Sequence, residues 1–135
     1  MPANWSEKEA YKKISGLSRR TNIDIVWAAN DPMAFGAFSA LEQNSTTEAF
    51  SVGGINWDIS RVNAPVDISY GGHVILGGFA VVLIHDILKK YSPIQSIELD
   101  VFSSNKEAYA KDFQTLIKTR SFNSINYLDF SLSSG

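Results

Sequence analysis

The sequence predicts an α/β fold with a mainly parallel sheet. Three short apolar segments, residues 25–29, 50–55 and 65–70, alternate with segments of helical periodicity. Alternating strands and helices are typical of βα units, in which parallel strands form one sheet and helices cover its faces. We therefore expect a three-layer sandwich and a single domain over residues 1–135, a length sufficient for one hydrophobic core.

The segment at residues 23–36, IDIVWAANDPMAFG, gives the clearest local prediction. Its apolar run at 25–29 predicts a strand that is covered on both faces. Asp31 is suited to cap a following helix, and Pro32 is tolerated at the first helical position. Ligands of open α/β sheets bind beyond the carboxyl ends of the strands. Asn30 is therefore a candidate ligand contact.

The next two predicted strands also end in residues that suit a neutral ligand. The candidate contacts there are Asn56, Trp57, Ser69 and His73. An amide both donates and accepts hydrogen bonds, and an indole offers a flat apolar face and one donor. Together with Asn30, these residues favour a hydroxyl-rich ligand such as a sugar.

The remaining elements are predicted from capping and periodicity. Ser6 and Glu9 form a capping box for a first helix that ends near residue 20. Residues 94–102 alternate between apolar and polar and predict a half-exposed or edge strand. A last helix is expected at 105–118, followed at 125–132 by a short apolar segment that favours a strand at a sheet edge.

Composition excludes several classes of function. The net charge of −2 supplies no basic field for nucleic acid, and a chain with two histidines and no cysteine is poorly suited to a metal site. No segment is long and apolar enough to span a bilayer. The chain has no GxSxG, P-loop, HExxH or GxGxxG motif, and nothing orients His73 as a base for Ser69. We expect neither a cofactor nor an enzyme.

Four segments resemble the carboxyl-terminal lobe of type I periplasmic sugar-binding proteins of the ribose-binding-protein class. They are PANWSEKEAY at 2–11, DIVWAANDPMAFGA at 24–37, SVGGIN at 51–56 and SYGGHVILGG at 69–78. The resemblance implies a lobe that binds a sugar or sugar-like polyol, in a receptor that closes about a hinge for ABC import or membrane sensing. It also implies a periplasmic location. Met1 is followed by a polar segment, so no signal peptide is predicted in this chain.

The same resemblance implies roles for individual residues. Trp5 matches the aromatic residue that stacks on the sugar, and Asn30 matches the asparagine that binds sugar hydroxyls. Asn56 stands where the family usually has an aspartate, so the site is less anionic. The family often has a glutamine near the third strand end, for which His73 or Ser69 is the candidate replacement.

Each candidate also has a structural interpretation. Trp5 precedes a helix and suits a hydrophobic staple. Asn30 suits the turn at a strand end. Trp57 could equally be a lid over the edge of the core, and His73 could start a helix with its ring bonded to backbone.

The resemblance further implies that the chain corresponds to one lobe only. Relatives carry a strand and an entire amino-terminal lobe before the segment that matches residues 2–11. Gly71 and Gly72 would form the hinge between the lobes. The helix predicted at 73–90 is apolar nearly all round and would pack on the absent amino-terminal lobe. In a chain without that lobe, we expect this helix to drive homo-oligomer formation.

Two other functions fit the same lobe. The first is the effector-binding lobe of a cytoplasmic LacI-type transcription regulator, which predicts an upstream helix-turn-helix. The second is a free-standing half-receptor that serves as a homo-oligomeric interaction module. The two indoles Trp5 and Trp57 and the Tyr-Gly-Gly-His segment at 70–73 favour the periplasmic receptor, with a membrane permease or sensor as its partner.

Overall fold

The computed structural model describes residues 1–44, 49–58, 66–91, 102–106, 108–121 and 125–134. Its helices are α1 (Glu7–Ser18), α2 (Asp31–Asn44), α3 (Leu76–Leu88) and α4 (Ala108–Thr119). Its strands are β1 (Ile25–Trp27), β2 (Ser51–Ile55), β3 (Ile68–Gly71) and β4 (Ser103–Ser104). Short 3-10 helices occupy His73–Ile75, Tyr127–Phe130 and Leu132–Ser134. None of the described helices combines the length and the apolar composition that crossing a bilayer requires.

The strands form one sheet in the order β1-β2-β3-β4. Strands β1, β2 and β3 are parallel, and β4 pairs antiparallel with β3. The register places Val26 beside Val52 and Gly53 beside Ile68. The prediction of an α/β fold with a mainly parallel sheet is confirmed. Because β1 to β3 run in one direction, their carboxyl ends meet at the same edge of the sheet.

The core lies between α2 and one face of the sheet, and α1 packs on α2. Its buried residues are Ile14, Ala28, Ala34, Ala37, Ala40, Leu41 and Val52. The many small side chains on α2 allow close helix packing, and Gly36 marks the closest approach. A Cβ at Gly36 would lie 2.1 Å from the carbonyl oxygen of Glu7 and 3.0 Å from the amide nitrogen of Tyr11. Glycine at this position is therefore required by the backbone of α1.

The opposite face of β1 is open to solvent. Ile25 is 75% exposed and Trp27 is 55% exposed. The Trp27 ring lies across Gly53, where a Cβ would come within 2.4 Å of it, and its centroid is 6.0 Å from that of Tyr70. The prediction that this strand is covered on both faces is wrong, because Ile25 and Trp27 are exposed while Val26, between them, packs against the core.

The predicted helix at 73–90 forms as the turn His73–Ile75 followed by α3. One side of α3 packs on the 3-10 helix Tyr127–Phe130, where the rings of Phe79 and Phe130 meet at 5.1 Å. Its other sides leave large apolar side chains exposed. They are Leu76, Val81, Ile84, Ile87 and Leu88.

The tail contains the 3-10 helices Tyr127–Phe130 and Leu132–Ser134, so the strand predicted at 125–132 is wrong. Asp86 of α3 explains the difference, because its carboxylate accepts hydrogen bonds from the Ser131 hydroxyl and, at 2.9 Å, from the Leu132 amide. These bonds hold the pKa of Asp86 below its ordinary value, the Ser131 hydroxyl having the largest effect. The tail thus binds a side chain of α3 instead of a sheet edge.

The other predicted elements agree with the structure to within a few residues. Ser6 caps α1 by accepting a hydrogen bond from the Glu9 amide at 3.3 Å. The last helix is α4, close to the predicted 105–118. The strand predicted at 94–102 lies outside the described residues except for Phe102, which directly precedes β4.

We predict that Gly36→Ala lowers the free energy of unfolding by roughly 1–3 kcal/mol, because the new methyl group meets the α1 backbone. The matched control is Gly16→Ala in α1, where a Cβ would have no neighbour within 4 Å. This control should raise stability by about 0.5–1 kcal/mol through helix propensity alone. Urea unfolding of both variants tests the prediction, and equal stability of the two would contradict the packing of α1 on α2.

Candidate ligand-binding site

Three strand ends define the candidate site. Asn30 lies three residues beyond β1, Asn56 directly follows β2, and Gly72 directly follows β3. Because the strands are parallel neighbours, these three positions lie along one edge of the sheet. The structure thus groups the strand-end residues that the sequence proposed, although their contact with a ligand remains a prediction.

Asn30 joins the first strand end to the amino-terminal segment. Its Oδ1 accepts a hydrogen bond from the Met33 amide at 2.9 Å, and its Nδ2 donates to the carbonyl oxygen of Trp5 at 3.3 Å. Asn30 therefore caps α2. The expectation that Asp31 is the cap is wrong, and Pro32 is the second residue of the helix. Asn30 is only 6% exposed, and these two bonds use one of the two N–H groups of its amide and one of the two lone pairs on Oδ1.

Trp5 is the most accessible aromatic residue at this edge. Its side chain is 73% exposed, which does not fit a hydrophobic staple. Trp5 and its neighbour Asn4 both have left-handed backbone, with φ of 55° and 49°. The Trp5 carbonyl is held by Asn30, so the turn is tied to the strand end while the indole face remains free.

Asn56 and Trp57 form a left-handed turn in which the two side chains have different environments. Their φ angles are 115° and 51°. Asn56 is exposed, whereas Trp57 is only 4% exposed. The Trp57 Nε1 donates to the carbonyl oxygen of Ser69 at 3.2 Å, and its ring meets that of Phe113 edge-on at 5.5 Å. This position fits the alternative that Trp57 covers the edge of the core.

The buried side chain of Ser69 contacts Asp31, a residue that sequence reasoning did not assign to the site. The Ser69 hydroxyl is 2.8 Å from both carboxylate oxygens of Asp31. Asp31 is only 1% exposed, and its Oδ2 also accepts from the Asp58 amide at 2.6 Å. Burial raises the pKa of Asp31, while the hydrogen bonds from Asp58 and Ser69 oppose the rise. The glycine pair in β2 is the one sequence signal for this contact, because Gly54 leaves the space that Asp31 occupies.

The residues after β3 combine a bent backbone with an unpaired ring nitrogen. Gly72 has a φ of 105°, and Gly71 lies against Trp57, where a Cβ would come within 2.5 Å of the indole. The His73 ring stacks on Phe102 with centroids 4.9 Å apart. Among the described residues, the His73 Nδ1 is shielded from solvent and has no hydrogen-bond partner.

A groove of about 400 Å³ lies beside the site. Its walls are mainly apolar and come from the amino-terminal segment, α1, β1 and α2, with Trp5, Ile14 and Met33 among the lining residues. Neither Asn30 nor Asn56 lines it. A hydroxyl-rich ligand needs polar partners, so the strand ends suit it better than the groove. Over the described part of the chain, no three acidic or histidine side chains come together as a metal site would require.

Comparisons with known proteins give two structural matches. No protein-family model and no curated protein gives a significant match. A periplasmic sugar-binding protein from Pseudomonas fluorescens superposes with a TM-score of 0.77 and 23% identity, over 97% of this chain and 43% of that chain. An ABC transporter solute-binding protein from Clostridium phytofermentans with bound β-D-glucose gives 0.61 and 20%, over 85% and 42%. The chain spans less than half the length of either protein, and at these identities the likeness shows the fold.

We predict that Asn30→Ala lowers the free energy of unfolding by about 1 kcal/mol without any ligand, because α2 loses its cap. Asn30→Ser also gives up the bond to the Trp5 carbonyl but keeps an uncharged acceptor at the capping position, so it should retain more of the stability than Asn30→Ala. Thermal unfolding of the two variants separates the capping role of Asn30 from a role in binding. A loss of the same size in both variants would contradict the capping role.

Proposed function

We propose that this chain, which has the fold of one lobe of a periplasmic sugar-binding protein, is the solute-binding lobe of a receptor for a sugar or sugar-like polyol. The observation that supports this most is the superposition of nearly the whole chain on such a protein. The same likeness supports a periplasmic location as part of this proposal. Both solved neighbours are solute-binding proteins, which favours the receptor over the effector lobe of a transcription regulator and over an enzyme.

The chemistry of the strand ends supports a neutral, hydroxyl-rich ligand. The exposed indole of Trp5 offers a flat apolar face for the C–H face of a sugar ring. The amides of Asn30 and Asn56 can each donate and accept hydrogen bonds. The His73 Nδ1 has no hydrogen-bond partner among the described residues but is shielded from solvent, so a ligand would reach it only if the turn after β3 moved. We propose Trp5, Asn30, Asn56 and His73 as ligand contacts.

Trp57 and Ser69 stabilise the turn after β2 and are not proposed as direct ligand contacts. Both side chains are buried, and the Ser69 hydroxyl already bonds Asp31 and the Trp57 amide. They therefore contribute to ligand binding through the shape of the turn above them. The Ser69 hydroxyl bonds Asp31 and not a histidine base, so within the described residues it is not paired as an activated nucleophile would be.

The mechanism that we propose is closure about a hinge. A ligand that contacts two lobes stabilises the closed state, which an ABC permease or a membrane sensor then recognises. Gly71 and Gly72 are the proposed hinge, and the left-handed backbone of Gly72 suits a point where the chain changes direction. One lobe supplies only part of the ligand contacts, so this chain alone should bind weakly.

We predict that D-glucose shifts the indole N–H resonance of Trp5 in an NMR titration, with a dissociation constant of roughly 1 mM or weaker. Trp5→Ala should abolish the remaining glucose-dependent shifts or weaken binding by roughly 1–3 kcal/mol. The matched control is Tyr91→Ala, which removes an exposed aromatic side chain just beyond the far end of α3.

Two results of this titration would count against the proposal. Equal loss of binding in the Trp5 and Tyr91 variants would remove Trp5 from the site. A submicromolar affinity in this chain would show that one lobe suffices and would contradict the two-lobed mechanism.

The exposed side of α3 is the proposed contact with a second lobe, and in this chain alone it should form a homo-oligomer. Val81, Ile84 and Leu88 are all exposed and lie three and four residues apart, so they share one face of the helix. Apolar patches of this kind are seldom left uncovered on a soluble monomer.

We predict that sedimentation velocity detects concentration-dependent self-association of this chain and that Ile84→Lys shifts it to monomer. The control is Leu17→Lys on α1, which changes a less exposed apolar side chain outside the patch. A monomer at all concentrations would contradict the oligomer proposal and leave the ligand proposal unaffected.

A further inference from the structure

The turn after β2 is held by three consecutive backbone hydrogen bonds. The donor and acceptor pairs are Asn56 N to Tyr70 O at 2.8 Å, Trp57 N to Ser69 Oγ at 3.2 Å and Asp58 N to Asp31 Oδ2 at 2.6 Å. Two of the three acceptors are side chains, one from β3 and one from α2. The turn is therefore shaped by tertiary contacts and not by its own sequence alone.

The backbone of this turn needs such support. Asn56 and Trp57 both have positive φ, a conformation that is unfavourable for residues with a Cβ and persists only where the surroundings enforce it. The Ser69 hydroxyl connects two of the bonds, because it accepts from the Trp57 amide while it donates to Asp31. Loss of that hydroxyl would remove the acceptor of the Trp57 amide and leave Asp31 with one donor fewer.

We propose that Asp31 and Ser69 are positioning residues that hold the turn of Asn56 and Trp57 in its left-handed form and so present the Asn56 amide to the ligand. This inference rests on the function proposed above. Asp31 directly follows Asn30, so one dipeptide contributes to two strand ends. The Asn30 side chain binds the Trp5 carbonyl, and the Asp31 side chain binds the turn after β2.

Two glycines leave the space that this arrangement requires. A Cβ at Gly54 would lie 2.3 Å from the Oδ1 of Asp31, and a Cβ at Gly71 would lie 2.5 Å from the Trp57 ring. Any larger residue would displace the carboxylate or the indole. The positions of the Asp31 carboxylate and the Trp57 indole therefore depend on glycines in β2 and β3 as well as on α2.

The electrostatic surroundings of Asp31 are simple. Asp58, on the segment after β2, is the titratable group that acts on it among the described residues. The neighbours from β2 and β3 are Gly54 and Ser69, which do not titrate. Burial raises the pKa of Asp31, and the charge of Asp58 adds to that rise. Protonation of Asp31 should therefore be visible at the turn above the pH range of an ordinary aspartate.

The first test uses NMR spectra of the ligand-free chain. Asp31→Asn and Ser69→Ala should shift the resonances of the Asn56 side-chain amide and the Trp57 indole N–H. In the wild-type chain these resonances should also change with pH as Asp31 titrates, and Asp31→Asn should abolish that pH dependence. The matched control is Asp67→Asn. Asp67 accepts a hydrogen bond from the Val52 amide at 2.7 Å, so it makes a similar contact at the far end of β2. Its loss should leave the Asn56 amide and the titration unchanged.

The second test uses D-glucose as the probe. Asp31→Asn and Ser69→Ala should raise its dissociation constant by about tenfold, the effect expected for one lost hydrogen bond to a charged group. Asp67→Asn should not change it. Normal spectra at Asn56 in both site variants, or unchanged glucose affinity in both, would overturn the inference.

The two tests separate this inference from the proposed function. If the wild-type chain binds no glucose, the proposed function fails for that probe, while the ligand-free spectra still decide whether Asp31 and Ser69 fix the turn. If Asp31→Asn does not fold, Ser69→Ala decides the matter, because it removes a single hydroxyl and keeps the charge.

Discussion

The buried carboxylate of Asp31 is the contact on which the candidate site depends. Moving an isolated carboxylate out of water is unfavourable by many kcal/mol, so it stays buried only where hydrogen bonds compensate for the lost hydration. Ser69 and the Asp58 amide provide them, and both donors belong to segments distant in sequence from α2. Satisfying one charge thus fixes the start of α2, the end of β2 and the middle of β3 relative to one another.

Left-handed backbone is concentrated at this edge of the sheet. Of the seven described residues with positive φ, five lie at the site: Asn4, Trp5, Asn56, Trp57 and Gly72. The other two, Lys90 and Arg120, follow α3 and α4, where a left-handed residue commonly ends a helix. The positive φ angles that do not end a helix therefore lie at two strand ends and in the amino-terminal segment that Asn30 holds. Backbone of this kind directs side chains and carbonyls to positions that extended loops do not reach.

Local pattern predicted the fold because each βα unit combines an apolar run with a polar end and a periodic helix. It could not separate Asn30 from Asp31 as the cap, since both residue types cap helices equally well. The Asp31 carboxylate instead accepts a hydrogen bond from Ser69, which lies 38 residues away in sequence. The tail was misassigned for a similar reason, because Asp86 binds residues 131 and 132, and nothing within the tail itself reports that contact. An apolar run likewise does not show whether one or both faces of β1 are covered.

The three tryptophans occupy very different environments, and this has an optical consequence. Trp5 and Trp27 face solvent, whereas Trp57 is enclosed and donates its indole hydrogen to a carbonyl. A soluble quencher such as iodide reaches the first two and leaves the emission of the third. The quenched fraction of fluorescence then follows the open sheet face and the first strand end, and the residual emission follows the turn after β2. The chain thus contains its own reporters of two separate regions.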